Sequence, residues 1–457
     1  MIHKYKLNGY NIVLDVNSGA VHVLDDCSFD ILDCINENKK LDKNISENII
    51  SKLKNKYSLE QIKETYNELF DLYKNGLLFA DDSYEKFANM MINAPIKSMC
   101  LNVAHDCNLR CEYCFASKGD FGGERMLMTL EVGKKAIDFL IEKSGTRRNI
   151  ELDFFGGEPL MNFNTVKEII SYARSKEKEH NKNFRFTITT NGLLLDDEKI
   201  KYINKEMSNV VLSIDGRKEV NDKLRVTPNK KGCYDLIMPS FKKLVQSRGD
   251  KDYYTRGTFT KHNLDFSNDV LHLADLGFDQ ISIEPVVSDL KLEYSIKEED
   301  LDPVLKEYEN LSLKIIDRKK SGKGFNFFHF MIDLDQGPCA IKRLRGCGCG
   351  NEYVAVTPNG DIYPCHQFVG NEEWKMGNLN DKTFNEEMKL DFAKANIYNK
   401  EDCKDCWAKF YCSGGCNANN WQYEGNILKS HKISCELEKK RLECAIMIKA
   451  ALADEII

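Results

Sequence analysis

Between residues 98 and 285 the sequence alternates short, β-rich apolar runs with helical patterns, and this rhythm restricts the fold more than any other feature. The runs cover 98–104, 150–155, 184–190, 210–214, 254–259 and 280–285, and helical patterns lie between most of them, as at 130–143, 165–178 and 268–276. Repeated β/α units of this kind give parallel strands with their helices outside. The fold class expected is α/β, with six units arranged either as a doubly wound sheet or as a barrel short of eight strands. In both arrangements the groups that do chemistry collect where strands end and loops begin.

Sulfur is the first candidate for that chemistry. Seventeen cysteines in 457 residues are too sparse for a disulfide scaffold, and ten of them fall between Cys339 and Cys444. The opening MIHKYKLNGYNIVLDV has no apolar signal region, and no stretch approaches the roughly 18–20 uncharged residues of a bilayer span, so a cytoplasmic setting is expected. In a reducing compartment clustered thiols serve metals more often than bridges. A formal net charge of −6 provides no global positive field, which disfavours nucleic acid and membrane as partners.

Residues 1–85 read as a small domain of their own. Runs at 4–7, 11–15 and 20–24 joined by Asn8-Gly9 and Asn17-Ser18-Gly19 predict three short antiparallel strands. Ile45, Ile49, Ile50 and Leu53 then recur at helical spacing. Ser58 with Gln61 forms a capping box ahead of Ile62, Tyr66, Leu69, Phe70 and Tyr73, and Gly76 is the expected stop. Strands followed by a helical hairpin resemble a winged helix, yet 11 lysines, no arginine and 15 acids over residues 1–86 disfavour DNA.

Just after the first strand of the alternating region stands Cys107-Asn-Leu-Arg-Cys111-Glu-Tyr-Cys114. Three thiolates in eight residues can wrap an iron–sulfur cluster and leave one iron without a protein ligand, whereas zinc loops present C-x2-C pairs and need a fourth donor. This triad, placed after strand one of a β/α array, resembles the signature of the radical S-adenosylmethionine (SAM) superfamily. Segments similar to that family follow in order: Gly156-Gly157-Glu158-Pro159 after strand two, Thr189-Thr190-Asn191-Gly192 after strand three and Ser213-Ile214-Asp215-Gly216 after strand four. The resemblance implies a partial (β/α)6 TIM-type barrel and a SAM-binding [4Fe-4S] cluster on Cys107, Cys111 and Cys114. It further implies SAM held by Gly156, Gly157, Glu158 and Pro159 at its amino group, with Asn191 in the next segment. Ser213 and Asp215 would contact its ribose or amino-acid portion, Arg225 its carboxylate, and Tyr113 would sit beside adenine.

The C-terminal cysteines follow an order of their own: Cys347-x12-Gly360-x4-Cys365, then Cys403-x2-Cys406-x5-Cys412-x3-Cys416, then Cys435. That order resembles the SPASM extension of peptide-modifying radical SAM enzymes, which implies two auxiliary [4Fe-4S] clusters and three clusters in all. By the resemblance Cys347, Cys365 and Cys416 hold the first auxiliary cluster, and Cys403, Cys406, Cys412 and Cys435 the second. The fourth ligand of the first stays open between Cys339, Cys349, which satisfies a C-x10-G-x4-C spacing, and a substrate thiolate. Cys27, Cys34, Cys100, Cys233 and Cys444 read as small buried hydrophobes. His105 and His366, close to cluster cysteines, are candidate proton carriers, with His366 the candidate catalytic base. In anaerobic sulfatase-maturating enzymes an aspartate follows the cysteine corresponding to Cys365; His366 stands there instead, which argues against sulfatase maturation.

These segments suggest three domains: a winged-helix-like leader-peptide recognition domain at 1–85, the radical SAM partial barrel at 93–315 and a SPASM domain at 330–457. The run from Gly337 to Cys347 and the opening Leu-Asn-Gly-Tyr-Asn-Ile-Val-Leu-Asp are similar to the SCIFF maturase (ranthipeptide) family. Its members form a thioether in a small cysteine-rich precursor peptide, so the resemblance implies such a peptide as partner. It also implies a flavodoxin- or ferredoxin-type electron donor, and reductive cleavage of SAM to a 5′-deoxyadenosyl radical that takes hydrogen from unactivated carbon. Formylglycine formation, carbon–carbon cross-linking or decarboxylation would share every motif. A non-catalytic iron–sulfur electron carrier or zinc adaptor would release no deoxyadenosine.

Overall fold

The computed structural model describes residues 1–35, 41–88, 92–334 and 343–453. At the N-terminus β1 (Ile2–Leu7), β2 (Tyr10–Asp15) and β3 (Val21–Leu24) form an antiparallel sheet in that order. The turn between β1 and β2 consists of Asn8 and Gly9, both at positive φ (49° and 87°), the conformation that makes Asn-Gly a hairpin signal. Three helices follow: α1 (Asp26–Cys34), α2 (Glu47–Leu53) and α3 (Leu59–Lys74). The Ser58 side chain accepts from the Gln61 N–H and starts α3. The expected helical hairpin is therefore a three-helix unit, because Asp25 caps an additional helix.

Strand alternation decides how this unit is mounted. Val13 points into a local core with Ile2, Ile31, Ile62 and Leu69, while Ile12 and Leu14 on the other face of β2, with Leu7, join the main core of the molecule. His3 stacks on Trp407 at 3.6 Å and bonds Glu443 at 3.0 Å, and the Tyr5 hydroxyl donates to the Glu443 carbonyl. The unit is thus packed onto the C-terminal segment.

The alternating region folds as β4 (Ser98–His105), a short β5 (Met126–Leu127), α4 (Leu130–Lys143), β6 (Asn149–Gly156), α5 (Phe163–His180), β7 (Asn183–Thr190) and α6 (Asp197–Glu206). It continues through β8 (Asn209–Ser213), α7 (Lys218–Leu224), α8 (Tyr234–Gln246), β9 (Asp252–Phe259), α9 (Ser267–Asp275), β10 (Gln280–Pro285), α10 (Leu301–Lys320) and β11 (Asn326–Phe327). The six expected strands lie parallel in the order β4-β6-β7-β8-β9-β10, with β11 beyond β10. On β6 and β7, Ile150, Leu152, Phe154, Phe184, Phe186 and Ile188 are buried in the main core together with Ile137, Leu140, Val166 and Ile169 of α4 and α5. The alternate positions, including Phe155 and Thr189, face a cavity instead.

The C-terminal segment enters the same sheet. After β12 (Tyr353–Val356), β13 (Asp361–Tyr363) and β14 (Gly377–Asn378) come α11 (Glu386–Lys394), α12 (Glu401–Lys404), α13 (Lys409–Cys412), α14 (Asn417–Glu424) and α15 (Lys432–Ala453). β12 pairs in parallel with β4, Tyr353 opposite Ser98 and Val356 opposite Leu101, so the sheet runs on to β14 and is open at both ends. α15 buries Leu437, Arg441, Leu442 and Cys444 to Ile448, and packs along α10. No helix among the described residues is long and apolar enough to cross a membrane.

Candidate active site

The C-terminal ends of the parallel strands open on a cavity of about 520 Å³. Its shape begins with the loop after β4. The Gly157 N–H bonds the Ala104 carbonyl (2.8 Å) and the Glu158 N–H the Asp106 carbonyl (2.9 Å), which zips the end of β6 onto that loop. A Cβ on Gly156 would stand 2.2 Å from the Ala104 oxygen, and one on Gly157 2.2 Å from the Asp106 oxygen, so only glycine permits this approach. On its other side the loop is held by Arg110 N–H to Val226 (2.7 Å) and Glu112 N–H to Leu224 (2.9 Å), which flank Arg225.

Glu158 is fully buried and already engaged. Its carboxylate accepts from the Leu160 N–H (3.0 Å), the Thr190 hydroxyl (2.8 Å) and the Asn191 N–H (2.8 Å), tying the ends of β6 and β7 together. Burial pushes its pKa up to about 7 against those three donors. Asn191 donates to Asn108 (2.8 Å) and toward the Cys107 sulfur (3.6 Å), and Gly192 packs beneath it on Phe241. Tyr113, Asp215 and Arg225 form a buried triangle: the Tyr113 hydroxyl donates to Asp215 (2.7 Å) and accepts from Arg225 (2.9 Å). Arg225 is 6% exposed, and its Nε has no partner among the described residues. Ser213, Arg225, Glu158, Asn191 and Tyr113 all line the cavity, whereas Asp215 stands behind Tyr113.

The cysteines gather in three groups. Cys107, Cys111 and Cys114 are electrostatic neighbours beside Arg225, and burial pushes the first two up to about 11 and 12. Cys403, Cys406, Cys412 and Cys435 form a second group, and Cys347, Cys349, Cys365 and Cys416 a third, in which the Cys349 thiol hydrogen-bonds Cys365. Cys339 lies outside the described residues. No three His, Cys, Asp or Glu side chains among the described residues close on a single-ion site. The fit to clusters rests instead on the donor set: soft sulfurs in groups, with backbone N–H groups aimed at them from Leu109, Ala418, Asn419, Gln367 and Phe368, the contacts that stabilise and tune cluster thiolates. Of the remaining cysteines, Cys27, Cys100, Cys233 and Cys444 are buried and Cys34 is half-buried.

The two histidines have different settings. His366 lines the cavity between Phe155 (5.0 Å) and Phe115 (5.5 Å), with Nδ1 3.2 Å from the Tyr353 hydroxyl; burial, and then Arg256, push it down to about 4, so it is neutral at pH 7. His105 does not reach the cavity and corrects the expectation of a proton carrier: it is buried, stacked on Phe121 at 4.6 Å, and its Nε2 has no partner among the described residues. Burial lowers its pKa from 6.5 to about 4. The native state thus binds fewer protons than the unfolded chain, and stability falls as pH drops from about 6.5 to about 4. His105→Phe is expected to remove that part of the acid limb, on the order of 3 kcal/mol, at no cost at pH 8; an unchanged limb in pH-dependent urea unfolding would refute this.

Sequence reading missed the far wall. Arg256 and Glu284 face the cavity from β9 and β10; Glu284 has His329 Nε2 at 3.3 Å and Arg441 of α15 at 3.9 Å, and Arg441 also donates to Tyr308. Burial works against ionisation, but His329, Arg441 and Arg256 together hold the Glu284 carboxyl well below its usual range. The available signal was a charged residue inside each of two β-rich runs, Arg256 in one and Glu284 in the other.

Comparisons with known proteins agree with this architecture. Residues 101–260 match the model of the radical SAM superfamily, and residues 347–407 that of the SPASM iron–sulfur cluster-binding domain. Matches to these two domains imply [4Fe-4S] clusters and SAM, in keeping with the grouped sulfurs. Two segments of the chain thus carry a radical SAM domain and a SPASM domain. It is similar to the cysteine-type anaerobic sulfatase-maturating enzyme of Clostridium novyi, 26% identical over 69% of this chain and 86% of that protein. It is also similar to the radical SAM cyclopropyl synthase TigE of Paramaledivibacter caminithermalis, 23% identical over 83% of this chain and 81% of that one. Among solved structures, native anSMEcpe with bound AdoMet superposes with a TM-score of 0.65 at 22% identity, over 78% of this chain and 99% of the other. Streptococcus suis SuiB bound to precursor peptide SuiA gives 0.52 at 16% identity over 95% and 98%. At these identities the structural likeness shows the fold.

Proposed function

We propose that this enzyme forms an intrapeptide thioether, joining a cysteine sulfur to an unactivated carbon of a ribosomally made, cysteine-rich precursor peptide. The observation that carries the reading is that one cavity is lined by thiols of all three sulfur groups: Cys107, Cys111 and Cys114, Cys416, and Cys412 with Cys435. Three [4Fe-4S] clusters on these groups, with SAM on the first, would supply electron transfer and hydrogen-atom abstraction. The chain's own residues position and exclude. Arg225 would hold the carboxylate of SAM and Ser213 its ribose or amino-acid portion, the Gly156–Gly157 backbone would leave room for its amino group, and Tyr113 would sit beside adenine. His366, with Nδ1 anchored on Tyr353, is the candidate acceptor for a substrate proton. Phe115, 45% exposed in the cavity, and Phe155 supply an apolar wall that displaces water when the peptide enters.

Residues 1–85, read as winged-helix-like, would capture the leader by adding a strand to β3, whose Val23 is 50% exposed at the sheet edge. Capture of this kind raises the local peptide concentration, commonly to the millimolar scale. Val23→Asp is expected to slow modification of full-length precursor tenfold or more while leaving peptide-free SAM cleavage unchanged; equal turnover by the variant would assign β3 another role. Deleting the unit is a poorer test, since Leu7, Ile12 and Leu14 belong to the main core.

The reaction itself is tested by mass spectrometry of a short cysteine-rich precursor peptide after incubation with reduced enzyme and SAM. A thioether removes two hydrogens and one alkylatable thiol and keeps the sulfur. The second reading, formylglycine formation, is favoured by the similarity to sulfatase-maturating enzymes; it replaces the cysteine thiol by an aldehyde and loses the sulfur.

A further inference from the structure

Lys400 has no solvent exposure, a rare state for a lysine. Its ammonium donates to the Gly414 carbonyl (2.7 Å) and to Asn417 Oδ1 (2.7 Å), and no carboxylate among the described residues pairs with it. Burying a charge with neutral partners alone is costly. The ionisable groups that face it are sulfur, Cys403 and Cys412 of one group and Cys416 and Cys349 of the other, which are negative as cluster ligands.

The backbone is built around this position. Both acceptors belong to the short segment between and just after Cys412 and Cys416, the link between the two sulfur groups. Gly414 lies at φ +84°, and a Cβ there would stand 3.1 Å from Lys400 Cδ and 3.3 Å from its Nζ. The glycine therefore makes room for the lysine side chain, which ends where the two groups meet.

We infer that Lys400 is the shared counter-charge of the two auxiliary iron–sulfur sites, a positioning residue that raises the reduction potential of both. The inference rests on the reading that these two sulfur groups hold clusters. A [4Fe-4S] cluster on thiolates is anionic and gains a further negative charge on reduction, so a fixed cation in a poorly polarisable interior favours the reduced form. A lysine at this junction acts on both clusters at once, whereas a surface cation would be screened.

The test uses full-length protein reconstituted anaerobically with iron and sulfide, in wild type, Lys400→Met, Lys400→Gln and Lys400→Arg, with iron content and EPR-monitored redox titration as readouts. Lys400→Met is expected to keep its iron and to move the one-electron equilibrium of both auxiliary clusters at least tenfold toward the oxidised form, about 59 mV for one electron. Lys400→Arg should stay within threefold of wild type, and the cluster on Cys107, Cys111 and Cys114 should be unmoved in all variants. Unchanged potentials in Lys400→Met, or a shift in only one auxiliary cluster, would overturn the inference. If both neutral variants lose auxiliary iron while Lys400→Arg keeps it, the charge is needed for assembly and the inference stands. Loss in all three would make the role one of shape and overturn it. A wild-type content of only about four irons per chain would overturn the cluster reading as well, and is distinguishable from these results.

Discussion

Replacing Cys107, Cys111 and Cys114 together by Ala is expected to abolish 5′-deoxyadenosine formation while leaving a folded protein that retains its other iron. The three thiols sit on one loop between β4 and β5, and the other sulfur groups are carried by segments after residue 343. The strands that support the loop are held by Met99, Leu101, Leu152 and Phe154, which the substitutions do not touch. Iron should fall from about 12 to about 8 per chain if three four-iron clusters are present. Continued SAM cleavage by the triple variant would show that the chemistry lies elsewhere.

Gly157→Ala is expected to reduce SAM cleavage at least 100-fold without touching any group that bears chemistry. The added methyl would stand 2.2 Å from the Asp106 carbonyl oxygen and 2.6 Å from its carbon, and both belong to backbone that cannot turn away as a flexible side chain would. Relief requires the loop after β4 to move away from the end of β6, breaking the Glu158 N–H to Asp106 bond and shifting Cys107 against Asn191. A displacement near 1 Å is enough to cost about 10²-fold when geometry governs the reaction. Overpacking should also destabilise the protein by roughly 1–3 kcal/mol. Gly9→Ala is the control: nothing lies within 4 Å of its Cβ, so a stability loss near 1 kcal/mol from its positive φ, with SAM cleavage retained, is the expected outcome. Comparable cleavage rates for Gly157→Ala and wild type would mean that the close approach of these two loops does not set the site.

The parts that were legible in the sequence are those encoded locally. The six parallel strands show as apolar runs because both of their faces are covered or line a cavity. The triad at Cys107 shows because three ligands share one loop, and the glycines at 156 and 157 show because backbone contact admits no side chain. The N-terminal strands were legible from their turns, Asn8-Gly9 above all. α1 was missed because nine residues capped by Asp25 make too short a periodic signal, and α15 was hard to read because it is covered on several sides and so lacks one polar face.

Tertiary structure alone decided three further matters. β12, four residues long, joins β4 across some 250 residues of chain and puts the SPASM segment into the main sheet. β2 is apolar on both faces, Val13 against the helices of its own unit and Ile12 and Leu14 against the main core, and only packing shows that the N-terminal unit is fastened down. Glu284 meets Arg441 from α15, and Lys400 meets Gly414 and Asn417, as contacts between side chains and partners remote in the chain. Spacing along the chain therefore determined the class of chemistry, since ligands on one loop and glycines at one contact are local requirements. The shape of the cavity and the charges around it depended on which remote segments packed together, and no local periodicity specifies that.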